Sequence, residues 1–230
     1  MASWIVHLRI AEEILNRAQK LSEVEFTVGN IAPDSGVPNE NWTAFTPSTD
    51  ISHFKLTGVD DKNLTSNKKL ISTEKFISKY LPEDKLEYYT REQLSFYLGY
   101  LCHLMTDLLW IDHVFDPTAK RDPEFSDSDR SCVQKWKKDW YDLDFLYLKK
   151  NPDFPAFLRY KNAVGFKNVF MDEFSLTAFD ERRKYICEFY SEPHELIDRE
   201  YPYLTEEQMS AFVRNAADII YSTITLKFNV

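Results

Sequence analysis

Residues 96–110 read FYLGYLCHLMTDLLW, an apolar stretch that carries one histidine, His103, and one carboxylate, Asp107. As a helix, this stretch is apolar on nearly all sides, and such a helix is buried. The sequence TREQ at residues 90–93 is a capping box, which predicts that the helix begins there and continues to about Trp110. We therefore expect a helical core organised around one central helix.

Helical periodicity extends on both sides of this stretch. Apolar residues recur every three or four positions in further segments that we predict as helices: about residues 3–20, 69–81, 131–148, 156–163 and 175–190, and from a second capping box at residues 205–208 onward. The pattern is lost in residues 27–67 and 111–127, which predicts two long loops, the first long enough to suggest a function. Because no linker or repeat divides the chain, we predict an all-α protein in which residues 1–230 form a single domain.

Composition narrows the class of protein. With 43% hydrophobic and 28% charged residues, the chain is typical of globular proteins. It contains five glycines and neither GxGxxG nor GxxxxGKS/T, which argues against a nucleotide-binding βαβ fold. The net charge of −9 makes nucleic acid a less favoured partner, because neutralising phosphates requires clustered Lys and Arg. Bound metal ions would nevertheless reverse the sign of the field locally.

The sequence also predicts the cellular location of the protein. No stretch approaches about 18 uninterrupted apolar residues, so no transmembrane helix is expected. The first residues lack the basic and apolar regions of a secretion signal. Three cysteines without a CxxC pair suit a reducing compartment, namely Cys102, Cys132 and Cys187. We therefore expect a cytoplasmic protein.

His103 and Asp107 are four residues apart and lie on the same face of the central helix. A buried imidazole and a buried carboxylate require partners, because an unpaired buried charge is costly. One interpretation is a hydrogen bond between the two inside the core. The other is a pair of metal ligands presented by one helix, with Gly99 leaving room one turn earlier.

Other histidines and carboxylates favour the metal interpretation. His7 lies on the apolar stripe of the first helix, His53 is in the first long loop, and His113 follows the central helix. Asp34 ends the sequence GNIAPD at residues 29–34, where a proline restricts the turn. A ligand set of nitrogen and oxygen without thiolates suits a catalytic zinc site better than a structural one.

The order of these motifs resembles the zinc-dependent phospholipases C of bacteria, which share an all-helical fold with the S1/P1 nucleases. The resemblance covers roughly residues 4–113, from Trp4-x-x-His7 to His113, and the helix that carries His103 and Asp107 is its most specific part. It implies up to three zinc ions in a cleft and hydrolysis of phosphodiesters by metal-activated water. Asp34 is then the candidate general base.

The resemblance also implies how the ligands are divided between the ions. It assigns Asp34, His53, His103 and Asp107 to one zinc site. His7 belongs to a neighbouring site that shares Asp107, and His113 belongs to the remaining site.

Two departures from the secreted members concern the metal count. Those members begin at a processed tryptophan whose amine and carbonyl bind zinc, whereas here Trp4 follows Met1. They also supply an HxxxE pair after the counterpart of His113, and this sequence has none there. Asp139 and Asp142 are the nearest substitutes, while His194 is expected at the surface. We therefore expect one to three zinc ions.

The resulting prediction is a zinc-dependent hydrolase that acts on a small phosphate ester or a phospholipid-like substrate. The alternatives are a nuclease of the S1/P1 type and a catalytically silent, metal-stabilised binding protein, which the incomplete ligand set favours. The loop aromatics Trp42, Phe45 and Phe54 are candidates for substrate contact, with core packing as the default. Substrate identity and oligomeric state are left open by the sequence.

Overall fold

The computed structural model describes residues 1–41, 43–56, 70–126, 128–194 and 197–229, and these form a predominantly helical fold. The helices in chain order are α1 (Trp4–Leu15), α2 (Glu23–Ile31), α3 (Thr49–Ser52), α4 (Thr73–Tyr80), α5 (Glu83–Leu86), α6 (Arg91–Trp110), α7 (Asp116–Arg121), α8 (Val133–Lys150), α9 (Pro155–Asn162), α10 (Ala178–Phe189) and α11 (Glu206–Phe228). Two short antiparallel strands, β1 (Val37–Pro38) and β2 (Phe45–Thr46), pair between α2 and α3. The prediction of an all-α fold is confirmed.

Helix α6 is the central element, and it begins at the predicted capping box. The Thr90 hydroxyl accepts a hydrogen bond from the Gln93 backbone N–H, and the Gln93 side chain accepts one from the Thr90 N–H. The second capping box begins α11 in the same way. Within the described residues, the 31-residue stretch Arg91–Arg121 is long and apolar enough to cross a membrane, but 78% of its apolar window is buried inside the protein. A buried core helix passes the same test of length and composition, so the stretch is weak evidence for a membrane span.

Helices α2 and α6 pack with their backbones in contact. A Cβ atom on Gly29 would lie 2.2 Å from the carbonyl oxygen of Phe96, and one on Gly99 would lie 2.2 Å from that of Phe26. Glycine at both positions therefore permits the close approach. The predicted loop over residues 27–67 is wrong in its first part, where α2 continues to Ile31. This short helix is buried along most of its length, so it lacks the polar face by which an amphipathic helix is recognised.

The second predicted loop is also wrong in its first part. After α6 the chain continues through a π-helical turn, Ile111–Phe115, directly into α7. Pro117 does not end this helix, and it lies in the first turn of α7 directly after the π-helical turn. The continuation places His113 on a helix rather than on a flexible connection.

The N-terminal segment is held inside the core. The Ser3 hydroxyl donates to Asp144 at 2.8 Å, and the Tyr190 hydroxyl donates to the other oxygen of the same carboxyl at 2.5 Å. Helix α1 packs against α2, α9 and α11, so its buried face reaches the centre of the protein. His7 lies on that face.

Candidate metal centre

Five side chains from four segments of the chain converge beside α6. They are His7 of α1, Asp34 of the 3₁₀ turn after α2, His53 at the end of α3, and His103 and Asp107 of α6. Four of the five side chains are fully buried, and 15% of the Asp34 side chain is exposed.

Three of the ligand atoms, from Asp34, His53 and His103, lie close enough together to hold one metal ion. The His103 Nε2 atom lies 3.3 Å from His53 Nε2, 3.4 Å from Asp107 Oδ2 and 4.0 Å from Asp34 Oδ1. The His53 Nε2 atom lies 3.5 Å from Asp34 Oδ1 and 3.6 Å from Asp107 Oδ2. Zinc bonds of about 2.0–2.1 Å in a tetrahedron place the ligand atoms about 3.3–3.4 Å apart. Asp34, His53 and His103 therefore fit one zinc ion, and Asp107 Oδ2 lies at a similar distance from both histidines.

A second group of ligand atoms, from His7, His103 and Asp107, shares His103 with the first group. The rings of His7 and His103 stack with centroids 3.8 Å apart, and His7 Nε2 lies 3.5 Å from Asp107 Oδ1. The buried atoms His7 Nδ1, His7 Nε2 and Asp107 Oδ2 have no hydrogen-bond partner among the described residues. Buried polar atoms are normally satisfied, so these unsatisfied atoms indicate room for an ion. The two Asp107 oxygens face different groups, as a bridging carboxylate would.

Neighbouring groups orient the ligand atoms. The His103 Nδ1 atom lies 2.8 Å from the carbonyl oxygen of Asn30, so Nδ1 carries the proton and the Nε2 lone pair points into the group. The Asp107 Oδ1 atom accepts a hydrogen bond from the Ala2 backbone N–H at 3.0 Å. The Asp34 Oδ2 atom accepts one from the Trp4 indole at 2.9 Å. These contacts hold each side chain in a fixed direction before any cation is bound.

The charges of the group match those of a cation site. Burial, aided by the charge of His103, lowers the pKa of His7 to about 4. Burial opposes ionisation of Asp34 and Asp107, but the nearby histidines outweigh it and hold both carboxyl pKa values below their usual range. At neutral pH two carboxylates and a neutral imidazole therefore face the group, which are the forms that bind a metal ion.

A family match accompanies this geometry. The family model described as zinc dependent phospholipase C matches residues 6–222 of the 230-residue chain. The chain belongs to the zinc-dependent phospholipase C family. No curated protein and no solved structure matches the chain significantly. The resemblance expected from residues 4–113 is confirmed, and the match extends through most of α11.

In this member of the zinc-dependent phospholipase C family, His113 is not brought to the group. It lies exposed on the π-helical turn and lines a groove with residues of α7 and α11, among them Arg121 and Phe212. His113 could approach the same group only if the helix ended near Trp110, and otherwise it would serve a separate metal ion on the flank. Because the helix continues, His113 is carried to a different face from Asp107.

Asp139 and Asp142 are likewise apart from the group, contrary to the expectation that they replace missing ligands. Arg199 pairs with both carboxylates, at 2.7 Å from Asp139 and 2.5 Å from Asp142. Lys138 and His194 also bind Asp142, at 2.5 and 2.7 Å. The cations already neutralise these carboxylates, so they form an ion-pair network rather than a vacant ligand pair. His194, expected at the surface, is one-third exposed.

A cavity of about 300 Å³ adjoins Asp34. Its walls include Trp4, Tyr141 and Arg182, and also Phe45, one of the loop aromatics considered for substrate contact. Phe54 instead packs in the core against Phe76, Tyr80 and Tyr100. Trp42 lies outside the described residues. This cavity is called the cleft below. It offers space for a small molecule beside the ligand carboxylate of Asp34.

Sequence reasoning missed several residues that shape the site. Asn30 is part of the GNIAPD motif, but no pattern in the sequence indicates that its backbone carbonyl orients His103. Arg182 and Tyr141 reach the cleft from α10 and α8. Both are more than 100 positions from Asp34 in the sequence, and no local pattern links such distant residues to a site.

Proposed function

We propose that this protein is a zinc-dependent hydrolase of phosphate esters. The observation that carries the proposal is the convergence of two overlapping groups of His and Asp ligand atoms beside a cleft. Asp34, His53, His103 and Asp107 would hold one zinc ion, and His7 with the second oxygen of Asp107 would contribute to a neighbouring one. Family membership supports zinc as the metal.

Zinc, when bound, acts as a Lewis acid toward phosphoryl oxygens and makes water more acidic. The chain's own residues do the rest. Asp107 directs Oδ1 toward His7 and Oδ2 toward His103. His103 keeps its proton on Nδ1, which faces the Asn30 carbonyl. Asp34 is the partly exposed carboxylate at the cleft. We therefore propose that it acts as the general base and accepts the proton that water loses during attack on phosphorus. The Trp4 indole fixes the direction of this carboxylate.

The cleft supports a small ester as substrate. Its volume of about 300 Å³ lies at the lower end of the range for small-molecule sites, about 300–1,000 Å³. The Trp4 ring is surrounded by the edge-on contacts of Tyr185, Phe189 and Tyr190. A ring packed in this way is a wall of the cleft rather than a free platform for stacking a nucleic-acid base.

Two predictions of organisation belong to the same proposal. We propose that residues 1–230 act as a single domain, and one continuous hydrophobic core that includes buried residues from Ala2 to Phe228 supports this. We also propose a cytoplasmic location. Free thiols at Cys102, Cys132 and Cys187 are consistent with a reducing compartment.

The test combines metal analysis with hydrolysis. Zinc-loaded protein is assayed on 4-nitrophenyl phosphodiesters and on single-stranded DNA, together with Asp107→Asn. Loss of one charge and one bridging oxygen should lower ester hydrolysis by at least about 100-fold. Cleavage of DNA alone would favour the nuclease alternative. A fully zinc-loaded parent that cleaves nothing would be a binding protein, and the hydrolase proposal would be abandoned.

A further inference from the structure

Arg182 is a cation without a counterion in the wall of the cleft. It belongs to α10, and only 7% of its surface is exposed. Its Nη2 atom donates to the carbonyl oxygen of Gly36 at 2.7 Å, and it forms no ion pair with any described residue. The adjacent Arg183 differs, because it pairs with Asp180 at 2.8 Å. A nearly buried guanidinium without a carboxylate partner is costly unless an anion is supplied from outside.

The position of Arg182 is fixed relative to the metal centre by two contacts. Gly36, whose carbonyl it binds, is two residues beyond Asp34. The guanidinium also lies 6.0 Å from the ring of Trp4, whose indole binds Asp34. Arg182 therefore belongs to the same small cavity as the ligand carboxylate.

Lys137 is a second cation on the lining of the cleft. It lies on α8, is exposed, and forms no ion pair with a residue that the structure describes. Its neighbours on the same helix are paired: Lys138 contacts Asp142, and Lys135 contacts Glu124. Lys137 is thus left free at the cleft while the lysines around it are neutralised.

The charge of the cleft is opposite to that of the whole chain. The chain has a net charge of −9. Among the described lining residues, the charged side chains are Asp34, Lys137 and Arg182. Since Asp34 directs one oxygen toward the ligand group, the remaining wall presents two positive charges and no negative one. Such a wall attracts an anion and repels a cation such as choline.

We infer that the substrate is a phosphate ester that carries a second anionic group, a phosphate or a carboxylate. This inference rests on the proposed function, because it places the scissile phosphate at the metal centre. Arg182 and Lys137 then bind the second anion on the wall of the cleft. The planar guanidinium can donate two parallel hydrogen bonds to either anion, and Lys137 adds a point charge. Choline esters are consequently poor substrates.

Equilibrium binding tests this without requiring hydrolysis. Calorimetry on the zinc-loaded protein compares phosphonocarboxylates of two to four carbons with alkylphosphonates of the same length, which lack the second anion. We expect at least one phosphonocarboxylate to bind ten times more tightly than its alkyl counterpart. Arg182→Gln, which keeps a donor for the Gly36 carbonyl, and Lys137→Gln should each remove most of this preference.

The control is Lys149→Gln, which makes the same change of charge on the same helix. Residue 149 is twelve positions from Lys137, or about 18 Å along the axis, so the preference should remain. A thermal melt checks that Arg182→Gln is folded, and the exposed Lys137 provides a variant that does not depend on core packing.

The outcomes separate this inference from the function on which it rests. Equal affinity of both ligand series for the parent, or an unchanged preference in both variants, would overturn the inference while leaving a phosphate site in place. Failure of both series to bind would count against the proposed function itself. Hydrolysis of soluble glycerophosphoinositol phosphate, whose inositol carries a second phosphate, is then compared with that of phosphatidylinositol phosphate vesicles. Cleavage of either in preference to its choline counterpart supports the inference and identifies a soluble or a lipid source.

Discussion

The imidazole rings of His7 and His103 stack face to face across α1 and α6, with centroids 3.8 Å apart and 2° between their planes. Burial opposes protonation of both rings. For His103, Asp107 together with Asp34 and the Asn30 carbonyl outweighs burial and raises the pKa, whereas for His7 burial and the charge of His103 lower the pKa to about 4. His7 is therefore neutral near neutral pH and keeps a nitrogen lone pair inside a buried, anionic group.

Substitution of His103 should remove the metal. Its Nε2 atom is close to ligand atoms of both groups, so His103→Ala is expected to lose most of the bound zinc. His113→Ala is the matched control, because His113 is exposed and should leave zinc content unchanged. Metal analysis of the purified proteins measures both. Equal zinc in parent and His103→Ala would contradict the assignment of the site.

Removal of zinc should lower thermal stability. The ligands come from four segments that are distant in sequence, and an ion that binds only the folded state stabilises it. Free zinc at 100 times the dissociation constant contributes about 2.7 kcal/mol, or a shift in Tm of roughly 5–10 °C for a chain of this size. Melting curves with and without excess chelator measure it, and coincident curves would show that no ion binds there.

Trp4→Phe should reduce hydrolysis without removing zinc. The substitution keeps an aromatic ring but deletes the N–H that binds Asp34, so the carboxylate loses its fixed direction. We expect a decrease in kcat of about tenfold, corresponding to about 1.4 kcal/mol. Trp140→Phe is the control, because the Trp140 indole lines the same cleft and its N–H has no hydrogen-bond partner among the described residues. Equal losses in the two variants would assign the effect to packing.

Gly99→Ala should destabilise the fold. The added Cβ would lie 2.2 Å from the carbonyl oxygen of Phe26, so α2 and α6 must separate. Overpacking of this kind costs about 1–3 kcal/mol. Gly165→Ala meets no atom within 4 Å and is strained only by its φ of +73°. Chemical denaturation should show a larger loss for Gly99→Ala, and the reverse order would contradict the backbone contact.

The effect of Asp144→Asn on the free energy of unfolding should become more favourable as pH rises. Burial raises the pKa of this carboxyl to about 7, against the hydrogen bonds from Tyr190 and Ser3. The folded protein therefore retains a proton that the unfolded chain releases near pH 4, and the stability of the parent falls from pH 4 to 7. The variant lacks this dependence, so its unfolding free energy relative to the parent should improve by about 2–3 kcal/mol between pH 5 and 8. Denaturation at the two pH values measures it, and an unchanged difference would contradict the raised pKa.

Local patterns predicted the features that depend on neighbouring residues. Both capping boxes begin helices where the sequence places them, because the cap requires only residues three positions apart. The pairing of His103 with Asp107 follows in the same way from the helical repeat. Helix α2 and the π-helical turn escaped prediction, since burial against α6 and continuation past Trp110 depend on tertiary contacts.

The sequence by itself determined the helical class, the central helix and the residue types that can bind zinc, because periodicity and side-chain chemistry are local properties. Only the tertiary structure decided which of those residues meet. It brings His7, Asp34 and His53 to α6 through the packing of α1 and α2 on α6 and of α3 on the 3₁₀ turn after α2, and it leaves His113 on another face. It also brings Arg182 to the cleft from 148 residues beyond Asp34, a proximity that the packing of α10 creates and no spacing in the sequence encodes.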